Sequence, residues 1–333
     1  MLGSYLQNKN KIEPLGEMPL MGFGTFIGIE LDKVENNSAR KKLTVDSIVK
    51  ALATGYRHLD LAENYGNLEA IAEALKVAFK PKEQGGLGLK REELWLTMKA
   101  NPPFHEDHID ALLKKVGVTY FDLFLIHHSQ GSLFESENTL EQGWQSLASI
   151  HKDKLQRIGV SNFYEPHLSR LLAICEKQSL VKPYANEIEI NIMSKNLTLI
   201  DYCRKQDIKM IAYSPLGYAF SGMLLDNEVL LEVAKELHST AAQAALAWLM
   251  AKDIVVIPKT TQEKRLKENF LSTQFTDALQ KSPKLLLALE SEPDFDASGL
   301  SQTAIESKEH GNGLLWNIEA GKNQNITKKS KKK

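Results

Sequence analysis

The chain of 333 residues is 43% hydrophobic and 25% charged, which is ordinary for a globular protein with a full core. Its formal net charge of −1 argues against a global attraction to nucleic acid or to a membrane surface. No apolar segment reaches the ~18 residues of a membrane span, and no signal peptide is visible at the N-terminus. We therefore expect a soluble, cytoplasmic protein, with Cys175 and Cys203 as reduced core thiols rather than a disulfide.

Amphipathic segments recur along most of the chain. The first has Val45, Ile48, Val49 and Leu52 at spacings of i, i+3, i+4 and i+7, and the same spacing returns at residues 109–116, 168–175 and 230–237. This pattern is typical of helices that bury one face against another layer.

Short apolar runs lie between these helices. Examples are residues 94–98, 121–126, 208–212 and 254–257, which are too uniformly apolar for half-exposed strands and so indicate parallel strands buried on both faces. About eight strand–helix units over ~250 residues are the usual size of a (β/α)8 barrel. An open, doubly wound sheet is the alternative, but the absence of an internal break favours a closed barrel.

Three segments fall outside the repeat. Residues 80–90 are predicted to form a glycine-rich loop, and residues 129–138 a loop over the barrel mouth. We expect residues 1–272 to form the barrel and residues 273–333 to form an extension over or beside its mouth, with a helical turn at residues 285–289. The lysines at the C-terminus, from Lys328 to Lys333, read as a solvated tail, with a membrane-surface or nucleic-acid arm as the lesser alternative.

Polar side chains end most of the predicted strands. Asp60, Lys99 and His127 follow strands two, three and four, and strands five to eight end at Ser161 and Asn162, Glu187, Tyr213 and Lys259. Singly, an aspartate can cap a helix, a lysine can reach solvent and a histidine can be a satisfied core residue. The barrel brings the ends of all strands to one mouth, where unpaired buried charges are costly. We therefore expect Asp60 and Lys99 to form an ion pair.

Several motifs, in the right order between residues 18 and 271, resemble those of the aldo-keto reductases. They are Gly55-Tyr56-Arg57-His58-Leu59-Asp60 with Tyr65, Gly66 and Asn67 after it, then Leu125-Ile126-His127, Gly159-Val160-Ser161-Asn162-Phe163 and Ile257-Pro258-Lys259 with Arg265, Glu268 and Asn269. The resemblance implies a (β/α)8 barrel that reduces aldehydes or ketones with NADPH.

The resemblance implies a catalytic set of Asp60, Tyr65, Lys99 and His127. Tyr65 would donate the proton to the carbonyl oxygen as hydride attacks the carbon. A phenol with an ordinary pKa of about 10 is a poor donor near neutrality, so we expect Lys99, held by Asp60, to lower the pKa of Tyr65. His127 would orient the carbonyl and share the donation.

No glycine fingerprint of a dinucleotide fold is present, since Gly85-Gly86-Leu87-Gly88 follows no strand and Gly22-Phe23-Gly24 lacks a third glycine. The resemblance instead implies that NADPH lies across the barrel mouth. Lys259, Thr260 and Arg265 would hold its 2′-phosphate, and two cations there favour NADPH over NADH. The other expected cofactor contacts are Gly24, Thr25, Phe26, Ser161, Asn162, Glu187, Tyr213, Ser214, Leu216, Glu268 and Asn269.

The chain departs from the family pattern at the predicted pocket. Glu187 stands where the family usually has glutamine, and a carboxylate accepts hydrogen bonds but cannot donate them. After Lys99 the family commonly carries a tryptophan, whereas this chain has Ala100-Asn101-Pro102-Pro103, and His128-Ser129 stands where Trp-Pro is frequent. The pocket is therefore predicted to be less aromatic than usual.

Two other functions remain open from the sequence. A Schiff-base aldolase would use Lys99 as nucleophile, although a protonated Lys99 paired with Asp60 argues against it. A catalytically weak NADPH-binding barrel could act as a sensor or partner subunit. We expect no metal, since His105 and His108 lack a convincing third ligand. We expect a monomer that acts on a small-molecule carbonyl substrate and binds neither nucleic acid nor membrane.

Overall fold

The computed structural model describes residues 16–27, 36–129, 137–150, 154–292 and 294. Eight parallel strands form one sheet in sequence order. They are β1 (Phe23–Gly24), β2 (His58–Ala62), β3 (Trp95–Ala100), β4 (Leu123–Ile126), β5 (Ile158–Ser161), β6 (Ala185–Glu189), β7 (Lys209–Tyr213) and β8 (Ile254–Val256).

The sheet closes between its first and last strands. Met21 pairs with Val256 in a parallel bridge, and the Gly22 amide donates to the Val256 carbonyl at 2.8 Å. A Cβ on Gly24 would lie 2.9 Å from the Ile257 carbonyl oxygen, so this seam needs a residue without a side chain. The predicted (β/α)8 barrel is confirmed, and the open sheet was the wrong alternative.

Helices alternate with the strands. They are α1 (Asn37–Thr54), α2 (Leu68–Phe79), α3 (Glu106–Val116), α4 (Glu137–Ile150), α5 (Glu165–Gln178), α6 (Leu197–Lys205), α7 (Ser221–Leu225), α8 (Glu228–Glu236), α9 (Ala241–Ala251), α10 (Glu263–Leu271), α11 (Thr276–Gln280) and α12 (Pro283–Ser291). Short 3-10 helices occur at Glu63–Tyr65, Lys82–Gln84, Arg91–Glu93, Tyr218–Phe220 and Ser272–Phe275.

The apolar stripes read from the sequence face the barrel. In α1, the buried positions include Val45, Ile48 and Leu52. The helix begins after Asn36, whose side chain accepts from the Ala39 amide at 2.9 Å, and ends at Gly55 with a φ of 124°. That backbone conformation is strained for any residue with a Cβ, which explains how the chain turns from α1 towards β2.

Strand ends differ from the sequence prediction. Asp60, Lys99 and Glu187 were expected just after their strands, but they lie inside β2, β3 and β6. In the sequence a hydrophobic run stops at the first charged residue, whereas a strand continues through charges that pair with one another inside the barrel. Strand eight stops at Val256, two residues before the predicted end at Pro258, which has no amide hydrogen to donate.

Segments outside the repeat agree in part with expectation. The predicted loop at residues 80–90 contains the short 3-10 helix Lys82–Gln84, and α4 begins at Glu137, inside the predicted loop 129–138. Residues 285–289 are helical as expected, within α12. The lysine tail lies outside the described residues. Cys175 and Cys203 are buried and unpaired, and no helix in the described part of the chain is long and apolar enough to cross a membrane.

Candidate active site

A buried ionic cluster inside the barrel joins three strands. Lys99 Nζ on β3 donates to both carboxylate oxygens of Asp60 on β2, at 2.5 Å to Oδ2. The same Nζ lies 2.9 Å from Glu187 Oε1 on β6, on the other side of the barrel interior. All three side chains are at most 2% exposed. Lys99 is therefore an ammonium shared by two carboxyl groups in a site that excludes water.

Burial and mutual charge set the protonation of this cluster. Burial by itself lowers the pKa of Lys99, but Asp60 and Glu187 outweigh it and the pKa is raised, so the ammonium stays charged. Burial raises the pKa of Asp60, although Lys99 opposes it. Burial, reinforced by Asp60, raises the pKa of Glu187 to about 8. This charged Lys99 is a poor nucleophile, which disfavours the Schiff-base alternative.

Tyr65 lies over this cluster. It ends the 3-10 helix Glu63–Tyr65 directly after β2, and Gly66 in the left-handed region, with a φ of 67°, turns the chain towards α2. Lys99 Nζ is 5.2 Å from the Tyr65 ring centroid. The Phe26 ring packs against the Tyr65 ring at a centroid distance of 5.0 Å, so the phenol is fixed from two sides.

The pKa of Tyr65 moves opposite to expectation. Lys99 lowers it, as the sequence suggested, but burial raises the pKa by more, and the net direction is upward. The expected net lowering was therefore wrong. The phenol stays protonated, which is the form that a proton donor requires.

Two stacked histidines follow β4. The His127 ring centroid is 5.9 Å from that of Tyr65, and the His128 ring stacks on His127 at 4.1 Å with an interplanar angle of 8°. Burial, and then the charge of Lys99, lowers the pKa of His127 to about 2 and that of His128 to about 4. Both imidazoles are neutral near physiological pH. His127 Nδ1 is buried without a hydrogen-bond partner in the described structure.

Asn162 connects the histidines to β6 and β7. Its side-chain amide donates to the His127 carbonyl oxygen at 2.9 Å and lies 3.4 Å from His128 Nδ1. Its Oδ1 accepts from the Tyr213 hydroxyl at 2.8 Å. Ser161 Oγ donates to the Glu187 carbonyl oxygen at 2.9 Å. These bonds bring together the residues that end β5 and β7 and the middle of β6.

The segment after β1 is tied to the cluster. Thr25 Oγ1 donates to the Asp60 carbonyl oxygen at 2.7 Å, and Asn67 Nδ2 donates to the Thr25 carbonyl oxygen at 2.8 Å. Gly24, Thr25 and Phe26 therefore lie next to Asp60 and Tyr65. The sequence motif contained Asn67, but not its role as the link between this segment and the start of α2.

The remaining predicted cofactor residues lie at β7, β8 and α10. Ser214, with a φ of 47°, and half-buried Leu216 follow β7. Lys259 and buried Thr260 follow β8, Arg265 is exposed in the first turn of α10, and Glu268 and buried Asn269 lie one turn later. They form a group distinct from the ionic cluster.

The structure thus separates the predicted site into two regions. Asp60, Tyr65, Lys99 and His127 converge at one place, with Glu187 among them, whereas Lys259, Thr260 and Arg265 gather where β8 meets α10. The contact between Lys99 and Glu187 and the stacking of His128 were not anticipated. Neither has a local sequence signal, because both depend on how the barrel closes. Among the described residues, no group of three or more His, Cys, Asp or Glu is arranged to hold a metal ion.

Comparison with known proteins finds relatives that match more than two thirds of this chain. Glyoxal reductase of Bacillus subtilis is 34% identical over 262 residues, which cover 76% of this chain and 82% of that protein. D/L-glyceraldehyde reductase of Hypocrea jecorina is 33% identical over 259 residues, which cover 69% of this chain and 76% of that protein.

Solved structures agree with the fold. An aldo-keto reductase from a deep-sea metagenome library superposes with a TM-score of 0.69 at 30% identity, over 84% of this chain and 93% of that one. A silkworm aldo-keto reductase complexed with NADPH gives a TM-score of 0.68 at 26% identity, over 84% of this chain and 86% of that one. The model of the aldo/keto reductase family matches residues 20–281. The chain belongs to the aldo/keto reductase family.

Proposed function

We propose that this protein reduces aldehydes or ketones to alcohols with hydride from NADPH and that Tyr65 is the proton donor. The observation that carries the proposal is the position of the Tyr65 phenol, whose ring lies 5.2 Å from the buried Lys99 ammonium and edge to face with the neutral His127 ring. A protonated phenol and a neutral imidazole at one point can act on one carbonyl oxygen.

NADPH, when bound, supplies the hydride that attacks the carbonyl carbon. As negative charge develops on the carbonyl oxygen, Tyr65 gives it the phenolic proton. The phenolate that remains is stabilised by the Lys99 ammonium, which is oriented before the reaction because Asp60 accepts two of its hydrogen bonds. Asp60 thereby helps Tyr65 by holding Lys99 in place.

His127 would orient the substrate while its imidazole stays neutral. Since the pKa of its imidazole is lowered to about 2, mainly by burial, the ring is neutral and can donate one N–H to the carbonyl oxygen. Asn162 fixes the backbone at this position by donating to the His127 carbonyl oxygen at 2.9 Å. A ring held in this way favours one carbonyl orientation over others.

The residues at β8 and α10 fit the phosphate of NADPH. The side chain of Gln262, which precedes α10, makes no capping hydrogen bond, so the amides of the first turn are available to an anion. Lys259 and Arg265 add two positive charges near that end. Arg265 can bind a 2′-phosphate with two parallel hydrogen bonds, which NADH could not use. Tyr213, half-buried at the end of β7, offers an aromatic face for the nicotinamide.

The relatives support the substrate class. Two of them carry the names glyoxal reductase and D/L-glyceraldehyde reductase, and a structural neighbour was solved with NADPH. We propose small aldehydes as the first substrates to try. The segments Ala100-Asn101-Pro102-Pro103 and His128-Ser129 stand where the family often has tryptophan, and a less aromatic pocket would suit polar groups on such molecules.

The test is a panel of small aldehydes and ketones, with oxidation of NADPH and of NADH followed by absorbance. We expect turnover of several aldehydes with NADPH and a higher kcat/KM with NADPH than with NADH. Direct binding of NADPH is measured in parallel by fluorescence. Tight NADPH binding without turnover of any carbonyl would contradict the proposal and would favour the sensor function.

A further inference from the structure

The ionic cluster contains one more carboxyl group than its single ammonium can balance. Asp60, Lys99 and Glu187 are at most 2% exposed, and full ionisation would leave one uncompensated negative charge in the barrel interior. A buried charge without a partner is strongly unfavourable, and the usual resolution is that the group takes up a proton. One proton therefore belongs to the two carboxyl groups.

The contacts indicate which carboxyl group holds this proton. Both oxygens of Asp60 accept hydrogen bonds from Lys99 Nζ, whereas Glu187 contacts Nζ only through Oε1, at 2.9 Å. Glu187 Oε2 is buried and has no hydrogen-bond partner in the described structure. Ionised Asp60 is the better stabilised of the two, so the proton resides on Glu187.

No other charge near Glu187 offsets this imbalance among the described residues. The charges that act on it are those of Asp60 on β2 and Lys99 on β3, and Tyr65 faces it from the 3-10 helix after β2. Its neighbours in register on β5 and β7 are Ser161 and Ile211, which are uncharged. The nearby histidines after β4 are neutral at ordinary pH because burial lowers their pKa.

We propose that Glu187 is a titrating positioning residue that carries a proton while the enzyme reduces a carbonyl and whose ionisation weakens proton donation by Tyr65. Only the second half of this proposal, the effect on proton donation by Tyr65, rests on the proposed function. The glutamate acts through Lys99 and through the electric field at the phenol.

Ionisation of Glu187 changes the net charge of the cluster by one unit. When Glu187 ionises, its O–H bond breaks, the electron pair stays on the carboxylate, and the proton leaves to solvent. The net charge of the Asp60, Lys99 and Glu187 cluster then changes from zero to −1. That charge opposes the negative phenolate, because ionised Glu187 raises the pKa of Tyr65. Since the pKa of Glu187 is raised to about 8, the change falls in a range where enzymes can be assayed.

The first test uses the protein without cofactor or substrate. Infrared difference spectra between acid and alkaline pH follow the C=O stretch of a protonated carboxyl group in the wild type, in Glu187→Gln and in Glu176→Gln, which makes the same change on the exposed face of α5. We expect a band that disappears with a midpoint near pH 8, absent in Glu187→Gln and retained in Glu176→Gln. A wild type without the band, or a band that survives in Glu187→Gln, would overturn the assignment.

The second test measures kcat/KM for aldehyde reduction against pH. We expect kcat/KM of the wild type and of Glu176→Gln to decline above about pH 8 and that of Glu187→Gln to show no such decline, whatever its value at neutral pH. An unchanged alkaline decline in Glu187→Gln would refute the link to Tyr65. If no carbonyl is reduced at all, the proposed function fails, while the infrared result still decides whether Glu187 holds the proton.

Discussion

The rings of Tyr65 and His127 meet edge to face, with centroids 5.9 Å apart and planes inclined by 79°. Tyr65 is carried by the segment after β2 and His127 by the segment after β4, so β3, which carries Lys99, lies between them. This arrangement directs two uncharged hydrogen-bond donors to the same space above one buried cation.

Tyr65→Phe removes only the hydroxyl and keeps the ring contact with Phe26. We expect kcat for aldehyde reduction to fall about 100-fold or more, because the donated proton is lost, while NADPH affinity and thermal stability stay near those of the wild type. Steady-state kinetics and fluorescence titration measure the two quantities. Tyr202→Phe in α6 is the matched control and should retain full activity. Full activity in Tyr65→Phe would refute the donor assignment.

His127 should not titrate in the folded protein near neutral pH. Its pKa is lowered to about 2, first by burial and then by Lys99. The ring-nitrogen shifts of His127 in 15N-labelled protein should therefore stay constant between about pH 5 and pH 8, the range in which an ordinary histidine changes charge. The urea-unfolded protein is the control, in which the same residue should titrate near its usual pKa of about 6.5. A midpoint near that value in the folded state would contradict a neutral orienting role.

Lys259→Ala and Arg265→Ala should weaken NADPH binding and leave NADH binding nearly unchanged. A hydrogen bond to a charged phosphate is worth about 1.5–3 kcal/mol, which corresponds to an increase of about tenfold or more in the Kd for NADPH. Lys264→Ala changes a neighbouring exposed cation of α10 and serves as the control. Equal losses for the two cofactors would place the 2′-phosphate elsewhere.

The free energy of unfolding should depend on pH through the ionisation of Glu187. Its folded pKa, near 8, lies above the ordinary value of 4.5, so between these values the folded state holds more protons than the unfolded state. The free energy of unfolding then decreases as pH rises through this window, by at most about 1.4 kcal/mol per pH unit. We expect Glu187→Gln to gain stability relative to the wild type from pH 5 to pH 8 in urea titrations. A constant difference across this range would show that Glu187 does not hold an extra proton.

The fold was predictable because its signal is local. Apolar runs of strand length and helical stripes such as that of Val45, Ile48 and Leu52 repeat along the chain, and eight repeats favour a closed barrel. The convergence of Asp60, Lys99 and His127 followed from the same reasoning, since neighbouring strands bring their ends together. The Tyr65 position came from motif resemblance, not from periodicity.

Contacts across the barrel interior could not be predicted in this way. Lys99 on β3 and Glu187 on β6 lie three strands apart, and their 2.9 Å contact depends on the barrel's width and strand stagger. The net shift in the pKa of Tyr65 was missed for a related reason. The charge of Lys99 is visible in the sequence, whereas the extent of burial that outweighs it is a property of the folded chain.

The side-chain amide of Asn162 connects the segment after β4 with the end of β7. Asn162, in the left-handed region with a φ of 62°, which asparagine tolerates better than most residues, holds the His127 backbone with its nitrogen and the Tyr213 hydroxyl with its oxygen. A single side chain therefore joins His127, which we propose orients the substrate, to Tyr213, which we propose faces the nicotinamide. We therefore expect substitutions at His128, which also lies against that amide, to alter coenzyme affinity as well as substrate range.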